Sequence, residues 1–238
     1  MNTSSGRGSG RLFGIARFAS SFHYVGVNAI LLESAELEGD GRALLRGPRA
    51  QHVLRVLHAG PGDHLRIGVL NGPLGDAEIL GTGNDEVELR CTLGAETPPR
   101  PRVDLLLALP RPKVMMRLWA QLAALGVGRI ILTNAWKVER NYFDTHVLNP
   151  DFFRPLLVEG LQQAQDTRLP EVSVHKQFKV LVEDDLDRLA PDALRLAADA
   201  RGDVSMLDAV SGRERRVLLA VGPEGGWTEY ETNLLKAH

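Results

Sequence analysis

Apolar residues change their period part-way along this chain. From Val27 to about Leu93 they come in short or alternating runs, Ala29 to Leu32, Ala43 to Leu45, His64 to Val69, Ala77 to Leu80 and Val87 to Leu93. That pattern predicts β-strands. Gly-Asp-Gly, Pro-Gly-Asp, Asn-Gly-Pro-Leu-Gly and Gly-Thr-Gly-Asn separate the runs and supply the turns. A small β-barrel is the natural way to close so many short strands. A helical turn over Ala50 to Leu57 interrupts them.

Thr97-Pro98-Pro99-Arg100-Pro101 is a stiff joint, and strands alternate with helices beyond it. Val103 to Leu109 is an apolar strand. Pro112 suits the first position of a helix whose Met115, Leu118, Leu122 and Leu125 share one face, and Gly126 stops it. Arg129 to Thr133, Glu171 to Val174, Leu194 to Ala198 and Val217 to Val221 are further strands, with helices over Phe152 to Gln165 and Val180 to Leu189. Such alternation implies an α/β fold whose parallel sheet is covered on both sides. The expected organisation is an extension over 1–26, a β-barrel over 27–96, a linker over 97–102 and an α/β domain over 103–238.

The last of these strands runs straight into Gly222-Pro223-Glu224-Gly225-Gly226, and Thr228 with Glu231 three residues later forms a capping-box pattern that opens a helix. Gly222, Gly225 and Gly226 carry no Cβ, so backbone amides there can approach a ligand. In open α/β sheets, ligands lie beyond the carboxyl ends of the strands. The loop matches neither the dinucleotide nor the phosphate-loop spacing. Two readings stay open: a ligand cradle, or a plain strand-to-helix turn.

The 238 residues suffice for one or two buried cores, and 44% hydrophobic with 24% charged residues is a globular composition. A net charge of -2 excludes a uniformly basic nucleic-acid binder but leaves room for a local basic face. Arg49, His52, Arg55 and His58 recur at helical spacing, either as a phosphate-contacting face or as an ordinary solvated one. The single cysteine, Cys91, excludes an internal disulfide and fits a reducing, cytoplasmic setting, and the histidines show no metal-ligand spacing. No metal is expected. No apolar run reaches the ~20 residues that span a bilayer. Residues 1–26 hold Arg7, Arg11 and Arg17 among Ser and Gly without an acid. They read as a disordered extension, from start-site choice or, alternatively, as an organellar transit peptide.

The run from Val217 to Glu231 closely resembles the hydrophobic-Gly-Pro-Glu-Gly-Gly signature of the RsmE family, 16S rRNA uridine-N3 methyltransferases of the SPOUT superfamily. The resemblance extends from about Val27 to the end, through Gln51-His52-Val53-Leu54-Arg55-Val56-Leu57, Pro61-Gly62-Asp63 and Leu125-Gly126-Val127. It implies a PUA-like barrel that grips RNA, then a knotted SPOUT domain. It also implies that Val221, Gly222, Pro223, Glu224, Gly225 and Gly226 hold S-adenosyl-L-methionine and that the protein acts as a homodimer on the small ribosomal subunit.

Methyl transfer to N3 of uridine requires that nitrogen to lose its proton, so the enzyme must align it with the methyl group and stabilise the developing anion. Glu224 is the candidate to orient the cofactor or accept the proton; the alternative is that it serves only the geometry of the loop. Arg111, Lys113 and Arg168 are candidates to hold phosphates or uracil carbonyls, with Arg49, His52 and Arg55 on the barrel side. Ala198 and Asp199, ending the neighbouring strand, are expected beside the loop, lining an adenosine pocket. Trp227 is expected to pack the helix.

Departures from the family pattern mark a divergent branch: Ala29 replaces an early Arg, Ala124 replaces an acid, and Gln162-Gln163-Ala164-Gln165-Asp166 replaces Glu-Gln-x-Gly-Arg. Family members also continue past the position of His238 with the segment that completes knot and pocket. A fragment of an active methyltransferase and a catalytically inactive RNA-binding module are therefore both readings of the sequence.

Overall fold

The computed structural model describes residues 26, 28–202, 204–212 and 215–238. The expectation for residues 1–26 therefore lies, Gly26 apart, outside the described residues.

Strands β1 (Ile30–Leu32), β2 (Arg42–Arg46), β3 (His64–Val69), β4 (Leu74–Thr82) and β5 (Glu86–Leu93) form one curled, mixed sheet in the order β1-β3-β4-β5-β2. β1 runs parallel to β3 and the remaining pairs are antiparallel. Alternation places Ala43 and Leu45 inward and Arg42 and Arg46 outward on β2. Between β2 and β3 lies helix α1 (Pro48–Gln51), which continues as a π-helical turn over His52–Val56 and drops Ala50 and Val53 into the same core. His58 lies past this turn in the left-handed region, at φ 52, so it does not share the face of Arg49, His52 and Arg55.

The second sheet is entirely parallel. It comprises β6 (Val103–Ala108), β7 (Val127–Thr133), β8 (Glu171–His175), β9 (Leu194–Ala198) and β10 (Val217–Val221), in the order β8-β7-β6-β10-β9. Nearly every residue of β6 and β7 is buried, as expected of strands covered on both faces. The connecting helices are α2 (Pro112–Ala124), α3 (Pro150–Ala164), the short α4 (Phe178–Val180), α5 (Leu186–Leu189) and α6 (Met206–Val210), and α7 (Glu229–Ala237) follows β10. Trp119 of α2 stacks on Phe153 of α3 at 4.6 Å, which seals these two helices together. The helix expected over Val180 to Leu189 begins at Phe178 and passes through a π-helical turn over Leu181–Asp185. α6 and the 3-10 turns at Arg140–Asp144 and His146–Leu148 are too short to leave an apolar period in the sequence.

The two sheets are fastened through the C-terminal end of α3 and the segment after it. Gln162 accepts Ala29 N–H on its carbonyl (3.1 Å) and Leu31 N–H on its side chain (3.4 Å). Thr167, fully buried, donates its hydroxyl to the Gly72 carbonyl (2.6 Å) and accepts Asn71 N–H (2.7 Å). Among the described residues no helix is long and apolar enough to cross a membrane.

Candidate active site

Strand order locates the crevice. From β6 the chain steps outward to β7 and β8, whereas β10 and β9 fill the opposite side, so the connections leaving β6 and β10 diverge from neighbouring strand ends. A cavity of about 190 Å³ opens there, bordered by Pro110 and Arg111 after β6, Glu139 and Tyr142 after β7, and Glu224 and Gly225 after β10.

The glycine loop closes on itself through Gly226 N–H donating to the Pro223 carbonyl (2.7 Å), with Gly226 at φ +69. Among the described residues the amides of Glu224 and Gly225 donate to no protein acceptor. Two approaches to the loop glycines are close, one by a buried ring and one by a flexible lysine side chain. A Cβ on Gly222 would lie 3.1 Å from the Trp227 indole, and one on Gly225 would lie 2.9 Å from Lys137 Cδ. Lys137 Nζ also donates to the Gly225 carbonyl (2.5 Å), so the segment after β7 braces the loop from outside.

Trp227 is buried as expected, stacked on Phe178 at 5.4 Å. Among the described residues its Nε1 has no acceptor, and Thr133 Oγ1 and Asn134 Oδ1, at the end of β7, are also buried without partners. Orphaned polar atoms of this kind require an explanation, and a polar ligand at the carboxyl ends of the strands is one. The uncovered amides and the glycine clearances therefore suit a group such as S-adenosylmethionine.

Ala198 pairs in register with Val221, which puts Asp199 beside the loop as the sequence implied. Asp199 is engaged by Arg201, whose guanidinium holds its carboxyl well below the usual carboxylate range, and Thr232 Oγ1 donates to it from α7 (3.3 Å). Arg201 also reaches the Trp227 carbonyl (3.4 Å), tying the end of β9 to the start of α7. Glu224 and Arg111 face each other at 3.7 Å, both largely exposed, and Lys113 is exposed in the first turn of α2.

The other basic candidates lie elsewhere. Arg49 is turned inward, bonded to the Glu36 carboxylate and to the Leu31 carbonyl (3.0 Å). His52 and Arg55 are exposed, Arg55 standing 3.7 Å from Asp85. Arg49 and His52 border a separate cavity of about 490 Å³ that reaches Gln162 on α3. Arg168 donates from Nε to the Pro98 carbonyl (2.6 Å) and so holds the linker.

Lys137, Glu139 and Tyr142 are site residues that sequence reasoning missed. The Tyr142 hydroxyl donates to Glu139 (3.0 Å), and burial and that carboxylate raise its pKa. Their signal was positional: they follow the carboxyl end of a central strand, where the crevice rule directs attention.

Residues 97–238 match the family model for an RNA methyltransferase domain. The chain belongs to that family. It is accordingly a methyltransferase, with RNA as its substrate. It is similar to the ribosomal RNA small subunit methyltransferase E of Treponema pallidum, with 28% identity over 214 residues, 89% of this chain and 80% of the relative. It also resembles the methyltransferase E 1 of Borreliella burgdorferi, with 22% identity over 194 residues, 80% of this chain and 79% of that one. A solved small subunit methyltransferase E from Neisseria gonorrhoeae, bound to S-adenosyl methionine, has the same fold, with a TM-score of 0.68, 15% identity, and 88% and 86% of the two chains covered.

Proposed function

We propose that this member of the RNA methyltransferase family transfers a methyl group from S-adenosylmethionine to N3 of a uridine in 16S rRNA, during maturation of the small ribosomal subunit. The observation that carries the reading is the glycine loop at the switch point of the parallel sheet, with free amides and a cavity beside it. The names of the relatives and the methyl donor in the Neisseria structure support it.

In this reading Val221 to Gly226 hold the donor, with Ala198 and Asp199 lining the adenosine side. S-adenosylmethionine supplies an electrophilic methyl group. The chain's own work is to place N3 in line with it and to exclude competing water. Arg111 offers a cation to a uracil carbonyl, which stabilises negative charge as N3 loses its proton. Glu224, 3.7 Å from Arg111, receives that proton directly or through water. The barrel side, residues 27–96, grips RNA through His52 and Arg55, with Lys113 contacting phosphate near the site and Arg49 and Arg168 at the margin of that path. Residues 97–102 link it to the transferase domain, 103–238. The working form is a homodimer in the cytoplasm.

Calorimetry with S-adenosylmethionine on the full chain, then mass-spectrometric mapping of rRNA from a deletion strain, tests this. The expected result is saturable binding and loss of one methyluridine in the strain. RNA binding with no donor binding, and unchanged rRNA, would instead favour a non-catalytic RNA-binding module.

A further inference from the structure

Three tryptophans occur in the chain, and their environments differ sharply. Trp119 is 0% and Trp227 4% exposed, whereas Trp136 is 84% exposed. A large aromatic left in water is informative, because burial would have stabilised it strongly.

Trp136 is nevertheless on a fixed backbone. Ala135 before it and Val138 after it are buried, and Val138 N–H donates to the Ala135 carbonyl (3.0 Å), so the tryptophan stands at the apex of a tight turn. Its own N–H donates to Glu231 Oε1 (2.7 Å). Glu231, 4% exposed, uses its other oxygen to complete the capping box of α7 with Thr228 N–H (2.8 Å) and Thr228 Oγ1 (2.7 Å). The next residue, Lys137, is the one that braces Gly225. The same buried carboxylate therefore fixes the backbone that carries the exposed indole relative to the glycine loop and its helix.

The surroundings select the occupant. Lys137 follows Trp136 directly and borders the cavity together with Arg111, and Arg140 lies four residues on from the tryptophan. Of the nearby acids, Glu139 is engaged by Tyr142 and Glu224 faces Arg111. An exposed aromatic ring on a fixed backbone, with Lys and Arg in the adjoining segments, is an arrangement that receives single-stranded RNA, with bases stacking and phosphates meeting the cations.

We infer that Trp136 is a substrate-positioning residue: a nucleobase beside the target uridine stacks on its indole and sets the RNA register over the cavity. The inference rests on RNA approaching the glycine loop as proposed above, but not on the identity of the methylated atom.

The test uses the full-length protein and a mixed-sequence, single-stranded RNA oligonucleotide containing uridine. RNA should quench tryptophan fluorescence in the wild type, since the only well-exposed indole among the described residues is the one contacted, and W136F should abolish that quenching. By anisotropy with labelled RNA, W136A should weaken binding roughly five- to a hundredfold. W136Y should recover most of the loss, because stacking needs a ring rather than an indole. The slope of log Kd against log salt should be the same in W136A as in wild type, as stacking releases no counterions.

Equal RNA affinity in W136A and wild type, or no RNA binding by the wild type, overturns the inference. So does conversion of a dimer to a monomer by W136A in sedimentation, which would make the indole a subunit contact. Calorimetry with S-adenosylmethionine separates the two proposals. Wild type that quenches on RNA but binds no donor keeps this inference and sinks the methyl-transfer reading, and donor binding with no effect of W136A does the reverse.

Discussion

Cys91 on β5 has its thiol pushed up to about 11 by burial. A raised thiol pKa means little thiolate near neutral pH, and only the thiolate is nucleophilic. Iodoacetamide at pH 8 should therefore alkylate the native protein far more slowly than the denatured one, as followed by mass spectrometry. Glu36 moves the other way, its carboxyl lowered chiefly by the hydrogen bond from Arg49. Because the folded value lies below the unfolded one, the pair stabilises the protein above the usual carboxylate range, and that contribution is lost as pH falls through the folded value. Glu36→Gln should lower stability at pH 7 by roughly 1 kcal/mol or less, since the pair is partly exposed. It should also flatten the acid limb of a denaturation-midpoint profile below about pH 4.5. Thr228 and Glu231 were legible as a cap from spacing alone, but the bond that Trp136 N–H donates to Glu231 was not. It joins residues 95 apart, and nothing local in the sequence encodes it.

At the scale of elements, α7 depends on that same carboxylate. Glu231→Ala removes the capping box and leaves Trp136 N–H without its acceptor, which should cost about 1–3 kcal/mol. Thermal denaturation gives the magnitude, and hydrogen exchange should show faster opening over both 135–138 and 228–232. Where α2 and α3 cross, a Cβ on Gly160 would come within 2.0 Å of the Ala120 carbonyl oxygen. Gly160→Ala should therefore push the helices apart and destabilise by about 1–3 kcal/mol, measurable by urea unfolding. Strands β3, β9 and β10 match the apolar runs read from the sequence end for end. Short apolar runs between turn residues have few alternatives. Helix breaks at π-helical turns are less legible, since one extra residue per turn barely alters the apolar period.

For the whole molecule, the junction between the sheets is the element to perturb. Thr167→Val keeps the shape but leaves the Gly72 carbonyl without its donor, a loss of about 1–3 kcal/mol at a fully buried site. Limited proteolysis should then cut the proline-rich 97–102 linker faster than in wild type, because Arg168, next in sequence, holds that linker at Pro98. The segment 162–169 thus works as a fastener. This explains how Arg168, a plausible phosphate contact in sequence, is bonded to a carbonyl instead.

The sequence by itself determined the strand and helix alternation, the proline joint, the glycine loop with its capped helix, and the resemblance that named the chemistry. Each of these is carried by residues within about one element of one another, where periodicity and backbone preference act directly. Only the tertiary structure decided which strand ends adjoin, and so that the loops after β6, β7 and β10 share one cavity. It also decided which arginines are consumed by carboxylates and carbonyls, and that one tryptophan of three stands in solvent. Those outcomes depend on contacts between distant segments, and the burial or exposure of a side chain is a property of what the rest of the chain brings against it.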